Sequence, residues 1–578
     1  MKASWLFIGA LFLVFMFVPL GKMLMLSFNV ADGLGLSHYV DIISSNDFRQ
    51  VMLNSFFVAI VSAMSATFLA FILAYTVHWT NLPKGFKQTI KLASLFPMLL
   101  PTVTYGFAII YTFGKQGLLT KIIGFQLFED IYGFYGMWLG YTIYTLPIAF
   151  LLLNNTFQYL DKKFVIVSEL MGDSRLRQID MTVIRPLIGT FAAAIIQCFF
   201  LAFTDFGIPA SIGGQYKVIA TELYTQILGA SPSFEKGSVV ALFMLIPSVL
   251  SILLLWYVAR FNVRYDSVEH FDLPTSKVKD RILGVLSSGI LISLLFVFAV
   301  IFIIPWIKTW PYEMAFSTDT FTKVIESSNL MRVYKNSLIV ATLTAVFGTI
   351  ITYVAALIYE RSGLFKIGKL TIESSALVTN TVPGMVIGIA YLMVFSGSSI
   401  SNTIFIIVIS NIIHYFSTPY LMSKNALSKM NLGWETTASL LGDSWLQSLR
   451  RIVVPNSIFT LIEVTSYFFI SAMVSISAVI FISGAKTMVL TTKIVELQHF
   501  ARFDEIFILS LMVLLTNITA LIFFATVRYL YTRSIYGTTK IKVIKTTEPR
   551  FAKAVQDVLR DADRLEQLGT ADGPQIVL

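Results

Sequence analysis

Apolar runs of twenty residues and more recur along the whole chain and constrain its fold more than any other feature. Written as a helix, a run of that length crosses about 30 Å of hydrocarbon. We read such spans at residues 4–28, 51–79, 91–113, 131–153, 187–205, 238–260, 282–306, 334–359, 371–397, 401–423, 456–481 and 506–531. Of 578 residues only 13% are charged and 56% are hydrophobic. That is too little charge to cover soluble domains of this total size. The expectation is an all-α membrane protein of about twelve transmembrane helices.

The sparse chemistry of the chain narrows it further. Cys198 is the single cysteine and sits inside an apolar run, so neither a disulfide nor a cysteine metal site is expected. His38, His78, His270, His414 and His499 are scattered without ligand spacing, and no metal site is expected from them. The first run is too long for a signal peptide and no small-residue cleavage site follows, so it reads as a retained span. A net charge of +10 raises nucleic acid as a partner, but the basic residues fall between spans, where membrane topology accounts for them.

Lysine and arginine set the orientation. With the N-terminus in the cytoplasm, roughly 30 fall inside and about 11 outside, as the positive-inside rule expects. The inner group includes Lys84, Lys87, Lys91, Arg260, Arg264, Lys277, Lys279, Arg281, Lys540, Lys542 and Lys545. Both termini are then cytoplasmic, and the lipid bilayer is the chain's first partner.

The two halves repeat. Asn54-Ser55 and Asn336-Ser337 open spans two and eight; Pro101 and Gly106 lie in span three, Pro383 and Gly388 in span nine. Each pair is offset by 282 residues. Six spans per half is an even number, so the expectation is two parallel repeats about an axis along the membrane normal, with a pathway between them. The boundaries read as 1–259 for the first repeat, 260–281 for a charged cytoplasmic linker containing Pro274, 282–535 for the second repeat and 536–578 for a cytoplasmic tail. In the tail Phe551, Val555, Val558, Leu559, Ala562 and Leu565 have helical spacing, which suits a short amphipathic helix or a solvated end.

The most informative segments are the third cytoplasmic loops of each half, 160–187 and 430–456. Each holds Gly-Asp-Ser (Gly172, Asp173, Ser174; Gly442, Asp443, Ser444), then an amphipathic basic stretch, then a proline where the next span begins (Pro186; Pro455). Glycine permits a tight turn and close approach of another backbone. The flanking helices carry apolar faces, among them Leu440, Leu441, Leu446 and Leu449, suited to a groove on a partner. Glu169 and Glu435 precede the glycines in the two loops and are candidate coupling residues, and Arg175, Arg177, Arg450 and Arg451 are placed to pair with a partner's acids.

These loops resemble the signature loop of binding-protein-dependent ABC importer permeases: Glu-Ala-Ala, three residues, Gly, about nine residues, a β-branched residue and Pro. The Ala-Ala pair is replaced by Val167-Ser168 in the first half and Thr437-Ala438 in the second, and the first loop is one residue longer between its Gly and Pro. The resemblance covers roughly residues 45–535. Residues 204–209, Gly213-Gly214, 220–224 and 472–481 look like the fused two-repeat permeases of the ferric-iron and 2-aminoethylphosphonate importers, the Asp205-to-Pro209 stretch being nearer the phosphonate branch. The resemblance implies a type I ABC importer fold, with two ATPase subunits on the cytoplasmic side and a solute-binding protein outside. ATP and magnesium would sit on the partners, with no cofactor in this chain.

Residues 363–369 match the first seven positions of a phosphate-binding loop, but the eighth is Leu370, which has no hydroxyl for magnesium. The chain is therefore expected to have no ATPase site of its own. Candidate pathway residues are Asp205 and Glu463, acids inside apolar spans, together with Tyr105, Asn380, Ser475 and Ser477 as neutral hydrogen-bonding groups; Asp205 would attract the ammonium of an aminophosphonate. Helix-helix hydrogen bonding is the plainer role for both acids. Glu373 reads as interfacial. Pro97, Pro101 and Pro383 suggest broken helices beside the pathway or ordinary packing kinks. An ion-gradient-driven secondary transporter also suits twelve spans in two halves, but does not need the duplicated Gly-Asp-Ser loop. A channel would need a selectivity filter, and a membrane enzyme a catalytic constellation; neither is seen.

Overall fold

The computed structural model describes residues 2–30, 33–261, 276–362 and 366–536. Pro274, the start of the phosphate-loop-like stretch and the expected tail helix lie outside the described residues. Eight helices are long and apolar enough to cross a membrane, and four bent helix pairs bring the number of candidate spans to twelve. We number the helices α1 (Ala3–Ser27), α2 (Asn46–Trp79), α3 (Lys84–Leu99), α4 (Thr102–Ile123), α5 (Phe134–Phe157), α6 (Lys163–Leu170), α7 (Arg175–Thr204), α8 (Gly207–Ile212), α9 (Ile219–Leu228), α10 (Phe234–Val258) and α11 (Lys277–Trp306). The second half continues with α12 (Ser328–Arg361), α13 (Gly368–Thr381), α14 (Gly384–Phe395), α15 (Ile404–His414), α16 (Ser417–Ser428), α17 (Gly433–Leu440), α18 (Trp445–Asn456), α19 (Ile458–Val474), α20 (Val479–Ile482), α21 (Leu490–His499) and α22 (Phe503–Tyr536). Two short hairpins, 29–34 and 307–316, are the only strands among the described residues.

The internal repeat is built from matching contacts. Helices α2 and α12 are both 34 residues long and both start on a serine cap, Ser45 and Ser327. The Asn-Ser pair nine residues further on has the same task in each half. Asn54 Nδ2 donates to the Lys217 carbonyl at 3.1 Å, and Asn336 Nδ2 to the Lys486 carbonyl at 2.9 Å. Ser55 and Ser337 accept the first free N–H groups of α9 and α21, each at 2.8 Å. Those N–H groups have no partner within their own helix, so each Asn-Ser pair staples a segment that returns into the bundle.

The prolines read from the sequence break the third span of each half. Pro101 has no N–H and forces Leu100 into an extended conformation, ψ 145°. The chain bends by 107° between α3 and α4, and by 105° between α13 and α14 at Pro383. Carbonyls freed by a break need partners in an apolar surrounding. Buried Asn517, from the other half, donates to the Leu99 carbonyl at 2.9 Å, and the Tyr105 hydroxyl donates to the Pro97 carbonyl.

The first helix of each half packs on the opposite half. Phe12 lies edge-on to Phe416, and Phe15 packs against Tyr391, Phe395 and Phe405. Reciprocally, Ser287 on α11 donates to Thr76 at 2.8 Å, and Phe298 packs on Phe96 and Tyr105. The two halves are thereby clasped by exchanged helices.

Candidate translocation pathway and coupling loops

Both Gly-Asp-Ser loops fold the same way. After α6 the chain turns at Gly172, φ +76°, and after α17 at Gly442, φ +89°; this left-handed conformation strains any residue with a Cβ. The N–H of Asp173 closes the turn on the Ser168 carbonyl at 3.1 Å, and that of Asp443 on the Ala438 carbonyl at 3.0 Å. Ser174 and Ser444 then cap the next helices. Each aspartate is held inside its own loop: Asp173 pairs with Arg177 at 3.2 Å and Asp443 with Arg451 at 2.8 Å. Arg177 and Arg451 thus meet an aspartate of their own loop while remaining 66% and 65% exposed, and Arg175 and Arg450 are exposed as well. Glu169 is exposed, whereas Glu435 pairs at 2.9 Å with buried Arg361 at the end of α12. Pro186 and Pro455 each follow a π-helical turn at the start of the next span.

What the two loops leave uncovered is apolar. Leu170, Met171 and Leu176 are 82%, 77% and 83% exposed; Leu440, Leu441 and Leu446 are 83%, 82% and 69%. Both clusters surround the turn glycines, and a Cβ added at Gly172 or Gly442 meets nothing within 4 Å. Both equivalent turns thus present a cluster of exposed apolar side chains.

Between the halves lies a cavity of about 310 Å³. Five of the six pathway residues singled out in the sequence line it: Tyr105 and Asp205 from the first half, Asn380, Ser475 and Ser477 from the second. Asp205 is buried and accepts the Ile208 N–H at 2.9 Å, so its carboxylate also caps α8. Ser475 takes the matching place in the second half, 270 residues on, so the cavity is acidic on one side only. Its lining includes no lysine or arginine. Sequence reasoning missed Tyr144, His414, Tyr415 and Tyr467, which also line it; single aromatic residues in apolar runs carry no signal that separates wall from core. Glu463 does not face the cavity. It joins α19 to α22 through Arg528 at 3.0 Å, the helix-helix role that was its plainer reading. Glu373 pairs with Lys424 at 2.5 Å.

No family model matches the chain. Among curated proteins it is 25% identical over 512 residues to the putative ferric transport system permease protein FbpB 1 of Haemophilus influenzae, covering 84% of this chain and 78% of that one. It is 25% identical over 484 residues to the ferric transport system permease protein FbpB of Actinobacillus pleuropneumoniae, covering 80% and 67%. The chain is a homologue of ABC importer permeases. A shorter match, 23% over 195 residues, is to the spermidine/putrescine transport system permease protein PotC homolog of Mycoplasma genitalium, covering 34% of this chain and 62% of that protein. The relatives thus lend no support to the phosphonate branch favoured by residues 205–209.

The Glu463–Arg528 pair gives this permease a prediction separate from transport. Glu463→Gln removes the anion and leaves a half-buried guanidinium with a weaker acceptor, a cost of about 2 kcal/mol. The purified variant should melt at lower temperature while its solute preference stays that of the parent. A changed preference at unchanged melting temperature would return Glu463 to the pathway.

Proposed function

We propose that this permease forms the membrane pathway of an ATP-driven importer of a cation, with ferric iron as the first candidate. The observation that carries the importer reading is the pair of Gly-Asp-Ser loops with one geometry and one exposed apolar face each. Two ATPase subunits dock there, bind ATP and magnesium, and hydrolyse the nucleotide. A solute-binding protein docks outside over residues 206–236 and 482–505. The chain spans a bacterial or archaeal cytoplasmic membrane with both termini inside. Closure of the ATPases moves the loops, and the halves rock as rigid bodies to expose the cavity alternately to the two sides.

The cation reading rests on the wall of the cavity and on the names of the relatives. The phosphonate group of an aminophosphonate, placed about 5 Å from Asp205, would be repelled by roughly 3 kcal/mol at an effective dielectric constant of about 20, so only its ammonium end is suited to this wall. No lysine or arginine in the lining offsets this. A cation gains the same interaction with reversed sign.

Right-side-out vesicles loaded with ATP, or whole cells, carrying the complete transporter should accumulate radiolabelled ferric iron in an ATP-dependent manner and leave 2-aminoethylphosphonate outside. Asp205→Asn keeps a side-chain oxygen for the α8 cap and removes the charge. Uptake should fall at least tenfold while the protein remains folded. Phosphonate uptake, or full iron uptake by Asp205→Asn, would overturn the cation reading; uptake driven by an ion gradient without ATP would overturn the importer reading.

A further inference from the structure

We infer that Arg361 is the positioning residue through which the second coupling loop moves its half. Arg361 is the last residue of α12. Its side chain is 3% exposed and its guanidinium joins three elements. Nε faces Glu435 Oε1 of α17 at 2.9 Å, and Nη2 donates to the Leu427 carbonyl at 2.7 Å and the Met430 carbonyl at 3.1 Å. Leu427 and Met430 lie at and just beyond the end of α16, where carbonyls have no helical partner and a cation is favoured. The planar fork of arginine can serve an anion and carbonyls at once, which a lysine does less well.

The equivalent positions of the first half carry other residues. By the 282-residue offset of the long helices, the position of Arg361 is taken by Trp79; by the Gly-Asp-Ser register, that of Glu435 is taken by Val165. The end of α2 is held by other charged groups: Lys87 Nζ donates to the Thr80 carbonyl at 2.6 Å, and the Asn81 N–H to Asp280 Oδ1 at 3.2 Å. In the second half a desolvated guanidinium that leaves its carboxylate must do so unpaired. Movement of α17 is therefore carried into α12 and α16. Helix α12 packs on α15, α16 and α19, which bring His414, Ser417, Thr418 and Tyr467 to the cavity wall.

This role rests on the importer reading, but the clamp can be tested without it. Hydrogen exchange on the purified full chain in nanodiscs should quicken about tenfold across residues 433–440 in Arg361→Met and Glu435→Gln and stay unchanged across 163–170. Arg361→Lys should restore most of the protection. With the co-purifying ATPase subunits in proteoliposomes, solute transported per ATP hydrolysed should fall about tenfold in Arg361→Met and Glu435→Gln, recover in Arg361→Lys, and remain that of the parent in Val165→Ala. Unchanged exchange at 433–440 would overturn the clamp. Faster exchange with an unchanged transport ratio would reduce it to a structural contact and overturn the coupling role. A parent chain that brings no ATPase with it would remove the importer reading, and the coupling role with it, while exchange still decides the clamp.

Discussion

On the importer reading, changing Gly172 and Gly442 together to aspartate should strip the ATPase subunits from the chain and leave the chain folded. The left-handed backbone at each turn costs a residue with a Cβ roughly 1–2 kcal/mol, and aspartate is among the residues that tolerate it best. There is no steric cost within the chain, because an added Cβ meets nothing within 4 Å at either site. The cost falls on the docked state. A carboxylate beside Leu170 and Met171, or beside Leu440 and Leu441, would be buried without a partner, a penalty of several kcal/mol per site. At about 1.4 kcal/mol for each tenfold, affinity should drop by a factor of 100 or more. Affinity purification in mild detergent measures this, with a melting curve as the folding control. ATPase subunits retained by a folded double variant would mean that these turns are not the docking sites.

The second large effect lies in the membrane and differs between equivalent positions of the two repeats. A Cβ at Gly207 would sit 2.2 Å from Thr102 Oγ1 and 2.5 Å from the backbone nitrogen of Val103. Backbone does not yield as a side chain does, so Gly207→Ala should cost about 3 kcal/mol or more. It would also displace α8, which Asp205 caps. The equivalent residue in the second half is Ser477, and the equivalent of Thr102 is Gly384. There the small residue stands on the other side of the contact: a Cβ at Gly384 would lie 3.2 Å from the Ser477 Cβ. Ser477→Ala should therefore cost under about 1 kcal/mol. The yield of monodisperse protein in detergent and its melting temperature compare the two variants directly. Equal behaviour of both would show that the first contact relaxes and that the size exchange between halves carries no energy.

The same pair of sites shows where sequence reading stops. Apolar runs, proline breaks and the 282-residue offset depend on residues near each other in the chain or on a repeated pattern. They point to about twelve spans, to a proline break in the third span of each half and to two similar halves; the structure has eight long apolar helices, or twelve candidate spans with the bent pairs. The Gly-Asp-Ser loops were legible for the same reason, since a left-handed turn followed by a serine cap is a local structure. That Thr102 meets Gly207, or Gly384 meets Ser477, depends on helix ends about a hundred residues apart.

What the sequence by itself determined is the solvent this chain lives in, the repeat and the two turns that face the cytoplasm in our reading, because hydropathy and turn preference are properties of short segments. The tertiary structure alone decided that α1 and α11 clasp the opposite halves, that Asp205 faces a common cavity while Glu463 turns away to Arg528, and that Arg177 and Arg451 meet aspartates of their own loops. In each case the side chain had more than one acceptable neighbour by chemistry. The choice was made by which helix packing brought within about 3 Å, where a charge in an apolar bundle must find its counter-charge or remain unpaired at a cost of several kcal/mol.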